Sequence, residues 1–112
     1  MPIQRWSDQI LLVTLGNEPA LSEDLIGVRD QAKSSDNAPD IVLDLAGVTQ
    51  LNSSNLSQLL RLRKLALDRD TRLKLAAISD GIWAVFLTTG LDKLFDFAGD
   101  VTTALAALQI ER

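Results

Sequence analysis

The sequence of 112 residues contains no histidine, no cysteine and no tyrosine. These absences exclude a Ser-His-Asp triad, a cysteine nucleophile and a zinc site built from cysteine and histidine. Disulfide bonds are excluded as well, which is consistent with a reducing compartment. The sequence therefore predicts a protein that is not an enzyme and that binds neither a metal ion nor a cofactor.

Long apolar segments are also missing. No run of about 18 apolar residues occurs, and residues 1–5 do not lead into the apolar core of a signal peptide. Fifteen acidic residues against eleven basic residues give a net charge of −4. That sign opposes general binding to nucleic acid or to an anionic membrane surface. We therefore expect a cytoplasmic protein that binds no nucleic acid and no membrane.

The chain is long enough for a single domain, residues 1–112, because it is 46% apolar and contains no linker or internal repeat. Its hydrophobic patterns predict strands at about Ile3–Ser7, Gln9–Leu15, Asp40–Leu45, Arg72–Ile78 and Phe95–Phe97. Capping residues predict helices that start at Ser22, at Ser53 or Ser54, near Asp80 and at Asp100. The order β-β-α-β-α-β-α-β-α indicates an α/β fold with a mixed, partly parallel sheet covered by helices.

The start of the second helix is the most informative segment and reads Leu51-Asn52-Ser53-Ser54-Asn55-Leu56. One interpretation is an N-cap, since serine and asparagine oxygens accept hydrogen bonds from the unpaired amides of a first turn. Another is a regulatory phosphorylation site, because a helix N-terminus favours the charge of about −1.5 to −2 that a phosphate adds. The two roles are compatible, and both stay open.

The same segment resembles the STAS domain family, typified by bacterial anti-sigma-factor antagonists. In that family a strand ending in Asp-Leu-x-x-Val leads to Asp-Ser-Ser-Gly-Leu at a helix start, as Ile41–Thr49 and Leu51–Leu56 do here. Two later stretches, Ile78-Ser79 and Thr89–Phe95, are similar to further landmarks of the family. The resemblance covers about Gln9–Leu108 and implies the STAS fold.

The resemblance also implies a partner and a switch. Antagonists of this type bind a serine kinase anti-sigma factor of the histidine-kinase ATPase fold and are phosphorylated on the second serine of the motif, which a serine phosphatase reverses. By position that serine is Ser54, with Ser53 as the alternative. The residues implied in partner binding are those beside it and those in the loop after the second strand: Asn52, Ser53, Asn55, Asn17 and Glu18.

The motif departs from the family pattern at Asn52 and Asn55, where the family has aspartate and glycine. An alternative function is therefore a STAS scaffold that is not phosphorylated and that assembles with itself or with other signalling proteins. A serine nucleophile activated by Lys64 is a more distant alternative, since ten helical residues separate Ser54 and Lys64 by about 15 Å.

Three other features have structural and functional interpretations. Asp44 is predicted to accept hydrogen bonds from loop amides; the receiver-domain alternative would need an acidic pair after the preceding strand, which Ile10–Gly16 lacks. Trp83 and the nearby phenylalanines are expected in the core. The small and leucine residues of Ala104–Leu108 leave a weak homodimer as an alternative.

Six of the eleven basic residues fall within fourteen positions, at Arg61, Arg63, Lys64, Arg69, Arg72 and Lys74. Because Asp68 and Asp70 interrupt the run, we interpret it as a solvated helix face. A docking surface for an acidic partner or a phosphate is the alternative.

Overall fold

The computed structural model describes residues 3–34 and 36–110. Its strands are β1 (Ile3–Ser7), β2 (Ile10–Thr14), β3 (Asp40–Asp44), β4 (Leu73–Ala76) and β5 (Asp96–Ala98). Its helices are α1 (Ala20–Ser34), α2 (Ser53–Asp68), α3 (Asp80–Thr89) and α4 (Val101–Ile110), with a 3-10 turn at Leu91–Lys93. The predicted order of strands and helices is confirmed.

The five strands form one sheet in the order β1-β2-β3-β4-β5. Strand β1 pairs antiparallel with β2, and the remaining neighbours are parallel. The predicted mixed, partly parallel sheet is therefore confirmed. Because β2, β3 and β4 run in the same direction, the loops that follow them lie at one edge of the sheet. The serine pair follows one of these loops.

Helices cover both faces of the sheet, which produces two apolar cores. Alternate residues of β3 point to opposite faces, as Ile41 and Leu43 do relative to Val42. Ile41 and Leu43 belong to the larger core, where α1, α2 and α3 pack on the sheet. Val42 belongs to a smaller core beneath Ala104 and Leu108 of α4. Both faces of β3 are buried, which explains its nearly continuous apolar sequence.

The end of α3 and the start of α4 confirm the capping roles predicted for Gly90 and Asp100. Helix α3 ends at Gly90, whose φ of 76° is the left-handed conformation that glycine adopts without a Cβ penalty. The backbone N–H of Thr103 donates to the Asp100 carboxylate at 2.7 Å at the start of α4. The hydrogen bond from Thr103 lowers the pKa of Asp100 below its ordinary value.

The predicted N-caps of the first two helices are wrong, although α2 begins at Ser53 as predicted. Helix α1 begins before Ser22, and the backbone N–H of Ser22 donates to the Glu18 carboxylate at 2.7 Å. The N-cap of α2 is Asn52 and not Ser53 or Ser54. In both places a side chain other than the expected serine accepts a hydrogen bond from a first-turn amide.

The apolar face of α2 also differs from the prediction at its second half. The spacing of apolar residues in this segment predicts that Leu67 lies on the buried side together with Ala66. Leu67 is instead 62% exposed, whereas Leu62 is buried. The packing of α2 against the sheet and α1 determines this rotation.

The aromatic prediction is confirmed for Phe86, whose buried ring meets Phe95 and Phe97 edge to face, with ring centroids 5.6 and 5.2 Å apart. It is wrong for Trp83, which is 36% exposed because only one edge of its ring packs on Phe97.

Candidate functional site

The candidate site lies where the β2–α1 loop meets the β3–α2 loop. The Asn17 amide nitrogen donates to the Thr49 hydroxyl at 2.9 Å, and the Thr49 backbone N–H donates to the Asn17 amide oxygen at 2.9 Å. The two loops approach so closely that a Cβ at Gly47 would lie 3.0 Å from the Leu15 carbonyl oxygen. Asn17 is therefore held beside the segment that leads into α2.

Asn52 and Asn55 close the start of α2 with a reciprocal pair of hydrogen bonds. The Asn55 backbone N–H donates to the Asn52 side-chain oxygen at 2.8 Å, and the Asn52 backbone N–H donates to the Asn55 side-chain oxygen at 3.0 Å. This is a capping box, with asparagine in the place that glutamate or glutamine usually takes. The two departures from the family motif thus stabilise the helix start together.

Asn55 also connects α2 to the β2–α1 loop. Its side chain is buried, and its Nδ2 atom lies 3.3 Å from the Glu18 carboxylate and 3.4 Å from the Ser22 hydroxyl oxygen. We expected Asn55 to contact a partner directly. Asn55 is only 1% exposed, and its side chain bonds to the exposed residues Asn52 and Glu18.

Glu18 is the one carboxylate of this network. The Ser22 hydroxyl and the Ser22 backbone N–H both donate to it, and the Asn55 side-chain amide adds a further hydrogen bond at 3.3 Å. Hydrogen bonds to the charged form stabilise it, so they hold the pKa of Glu18 below its ordinary value, with the Ser22 hydroxyl as the main cause. Glu18 therefore presents a negative charge at neutral pH.

An open cavity of about 670 Å³ begins at this network. Asn17, Glu18 and Asn52 form part of its polar wall, and the apolar part includes Ile82 and Val85 of α3. A surface with apolar contacts and a few fixed polar groups is typical of protein recognition sites.

Ser53 and Ser54 are exposed on the first turn of α2, immediately after Asn52. In the described ranges of the chain, no hydrogen bond involves either serine side chain. Neither serine lines the cavity. Because Asn52 supplies the cap, both hydroxyls are free to react or to contact a partner.

The remaining candidate residues, Asp44 and Lys64, contact neighbouring groups of the fold. Asp44 is partly buried, and its carboxylate accepts a hydrogen bond from the Ala46 backbone N–H at 3.0 Å, in agreement with the predicted structural role. Lys64 forms a salt bridge with Asp68 at 3.1 Å.

Among the described residues, no three acidic side chains are grouped as metal ligands. In that same part of the chain, no helix is long and apolar enough to cross a membrane.

The six basic residues of the second helix and the following strand do not form one surface. The Arg63 side chain donates to the Leu94 carbonyl at 2.7 Å. Arg69 donates to the carbonyl groups of Ala32 and Lys33 at the end of α1. Lys74 is buried. The prediction of a single solvated face is therefore wrong for these three residues.

Sequence reasoning missed three polar residues of the site, namely Ser22, Thr49 and Gln58. The Gln58 amide nitrogen donates to the Ser22 carbonyl at 3.1 Å, between residues 36 positions apart. Such contacts depend on how α1 and α2 pack, and no local motif in the sequence signals them.

The chain is similar to a known domain family and to solved structures. A family model described as "Mlab, STAS domain" matches residues 14–97. No curated protein sequence matches the chain. Three solved structures have the same fold, and their likeness at 16–17% identity concerns the fold alone.

The first is a protein of Thermotoga maritima proposed to be an anti-sigma factor antagonist, 16% identical, with a TM-score of 0.82 over 96% of this chain and 93% of that chain. The second is an anti-sigma-factor antagonist (STAS) domain protein of Planctomyces limnophilus, 17% identical, with a TM-score of 0.79 over 96% of each chain. The third is a serine-to-glutamate variant of RsbS from Moorella thermoacetica, 17% identical, with a TM-score of 0.78 over 100% of each chain.

Proposed function

The chain belongs to the STAS domain family, and on that premise we propose that it is a regulatory protein of the anti-sigma factor antagonist kind. It binds a serine kinase anti-sigma factor of the histidine-kinase ATPase fold and thereby controls transcription indirectly. The kinase phosphorylates Ser54, with Ser53 as the alternative acceptor, and a serine phosphatase reverses the reaction. The protein performs no catalysis itself and works in the cytoplasm.

The observation that carries this proposal is the free position of Ser54 on a capped helix. Ser54 is exposed, and Asn52 rather than a serine accepts the first-turn amide. Phosphorylation of Ser54 therefore removes no hydrogen bond on which the helix start depends. The unpaired amides and the dipole of α2 favour an anion at this end. The fold can thus accept the modification.

The surroundings of Ser54 also explain how a phosphate changes recognition. Glu18 and Asn52 form part of the rim of the adjoining cavity, where Glu18 is held as a carboxylate. A partner that fits this surface meets one fixed negative charge and several amides. A phosphate adds a charge of about −1.5 to −2 and three acceptor oxygens beside them. The unmodified protein therefore binds the kinase, and the phosphorylated protein is released.

Phosphorylation by a serine kinase anti-sigma factor from the same organism, with ATP, tests the acceptor directly. Wild type, Ser54→Ala and Ser53→Ala are incubated with the kinase, and the products are located by phosphopeptide mapping. We expect one phosphate on Ser54 in the wild type and in Ser53→Ala, and none in Ser54→Ala. Phosphate on another residue, or none in the wild type, would contradict the proposed switch.

A second candidate function is a scaffold that binds its partners without phosphorylation. The buried amide of Asn55 supports it, because Asn55 replaces the glycine of the phosphorylated family motif and fixes the first turn through its own hydrogen bonds. On this account the site docks onto a partner, or onto a second copy in a weak homodimer, in one constant state. Equal partner binding by the wild type, Ser54→Ala and Ser54→Asp would favour the scaffold.

A further inference from the structure

Helices α1 and α2 enclose a basic groove that is distinct from the candidate site. The groove has a volume of about 230 Å³ and is lined by residues of both helices: Arg29, Lys33, Arg61, Lys64, Leu65 and Asp68. Four cations thus face one carboxylate in a chain whose net charge is −4. We call this surface the α1–α2 groove.

Little within the fold neutralises the α1–α2 groove. Lys64 pairs with Asp68 at 3.1 Å, but their side chains are 76% and 61% exposed, and such pairs contribute only about 0–1 kcal/mol. Across residues 3–34 and 36–110, Arg29, Lys33 and Arg61 form no salt bridge. The fold therefore brings together like charges that an anionic partner would neutralise.

The shape of the α1–α2 groove is fixed at its end by Arg69. The Arg69 Nη1 atom donates to the carbonyl oxygens of Ala32 at 3.3 Å and Lys33 at 2.9 Å. These bonds attach the last turn of α1 to the end of α2. The cations on the two helices are consequently held in a constant arrangement, and a partner does not have to order the helices on binding.

We propose that the α1–α2 groove binds an acidic, helical segment of a partner protein. Arg29 and Lys33 are four residues apart, and Arg61 and Lys64 are three apart, so the pairs span about 6 Å and about 4.5 Å along their helices. Carboxylates at positions i and i+4 of a partner helix have the same spacing. Leu65, which is partly buried, offers an apolar contact between the charges.

The size and surroundings of the groove favour a protein segment over a longer polyanion. A volume of 230 Å³ corresponds to about eight water molecules, enough for a few side chains. Outside the groove the rest of this acidic chain repels an extended polyanion such as nucleic acid. Arg61 lies eight residues beyond Ser53, or about 12 Å along α2, so the groove is separate from the acceptor serines.

Nuclear magnetic resonance with a synthetic helical peptide tests the proposal. The probe carries glutamate pairs at i and i+4, and the full chain is labelled with ¹⁵N. We expect chemical-shift changes at the groove and an affinity about tenfold lower in Arg61→Gln/Lys64→Gln, since each of the two exposed ion pairs contributes up to about fivefold. The matched control, Arg5→Gln/Lys93→Gln, changes the net charge equally and keeps the affinity.

Three outcomes would overturn the proposal: equal affinity in the groove variant and the wild type, shift changes centred on another surface, or tighter binding of oligothymidine or phosphatidylglycerol vesicles than of the peptide. Phosphorylation of Ser54 is measured in the same variants. Because Arg61 and Lys64 lie outside the candidate site, its level stays unchanged, and failure of one proposal is distinguishable from failure of the other.

Discussion

Helix α2 begins in a network of short hydrogen bonds and continues into a groove of exposed cations. At its start, Asn52 and Asn55 bond each other, and Asn55 reaches the carboxylate of Glu18. Farther along, Arg61 and Lys64 project into solvent toward the cations of α1. Both regions carry polar residues. The first bonds most of its polar groups to one another, whereas in the groove the ion pairing among the described residues is that of Lys64 with Asp68.

This difference separates recognition by geometry from recognition by charge. Hydrogen bonds at the start of α2 require a particular position for each atom, so small changes of shape are costly there. Exposed charges interact over a Debye length of about 8 Å at physiological salt and tolerate changes of position. Substitutions at the two regions should therefore differ in size and in salt dependence.

The largest effect is expected from Asn55→Ala. The substitution removes half of the capping box and a buried amide that donates to Glu18, so we expect a loss of about 2–3 kcal/mol of unfolding free energy. Urea unfolding measures it. Ser53→Ala, at the residue directly after the N-cap, is the matched control. Its unfolding free energy should differ from that of the wild type by less than about 0.5 kcal/mol. Equal stability of the two variants would mean that the network contributes nothing.

A smaller loss is expected from Arg69→Gln, which removes the charged hydrogen bonds to the end of α1. We expect about 1–2 kcal/mol, because hydrogen bonds to a charged group contribute more than neutral ones. Arg61→Gln is the control on the same helix. If Arg61→Gln proved equally destabilising in urea, the distinction between bonded and exposed arginines would fail.

The pH dependence of Glu18 has a defined sign. Hydrogen bonds, chiefly from Ser22, hold the pKa of Glu18 below its ordinary value of 4.5 in the folded protein. Its stabilisation is complete above the unfolded pKa and is lost as the pH falls through the lower folded pKa. Ser22→Ala should raise the pKa of Glu18, as followed by carboxyl carbon chemical shifts. An unchanged titration would show that Ser22 is not the cause.

The smallest effect on stability is expected from Arg61→Gln/Lys64→Gln. The groove side chains are exposed, so unfolding free energy should change by less than about 0.5 kcal/mol. Relief of like-charge repulsion should make the change slightly favourable at low salt. In about 1 M salt, where the Debye length is near 3 Å, the difference should vanish. A loss above 1 kcal/mol that persists at high salt would instead indicate a packing role.

Local signals in the sequence predicted most of the fold. Alternation and continuous apolar runs located the strands, and Gly90 and Asp100 marked a helix end and a helix start because their effect depends only on neighbours in the chain. The capping residues of α1 and α2 were missed since several side chains compete for the first-turn amides. Glu18 reaches Ser22 across one turn, and Asn55 reaches back to favour Asn52 as the cap.

The candidate site was predicted in its location but not in its contacts. The motif located Asn52, Ser53 and Ser54 at a helix start, whereas the bond between Glu18 and Asn55 joins residues 37 positions apart. The α1–α2 groove was missed for the same reason, because the cations of α1 and α2 approach only when the two helices pack. The packing of α2 against its neighbours likewise decides which of its leucines are buried, and it buries Leu62 and exposes Leu67.

Titration of the partner kinase into the wild type, Ser54→Ala and Ser54→Asp tests the central claim most directly. The account predicts that Ser54→Asp weakens binding by at least about tenfold, or about 1.4 kcal/mol, while its unfolding free energy stays equal to that of the wild type. Ser54→Ala should bind as the wild type does. Equal affinity of all three proteins would contradict the claim that charge at Ser54 controls partner binding.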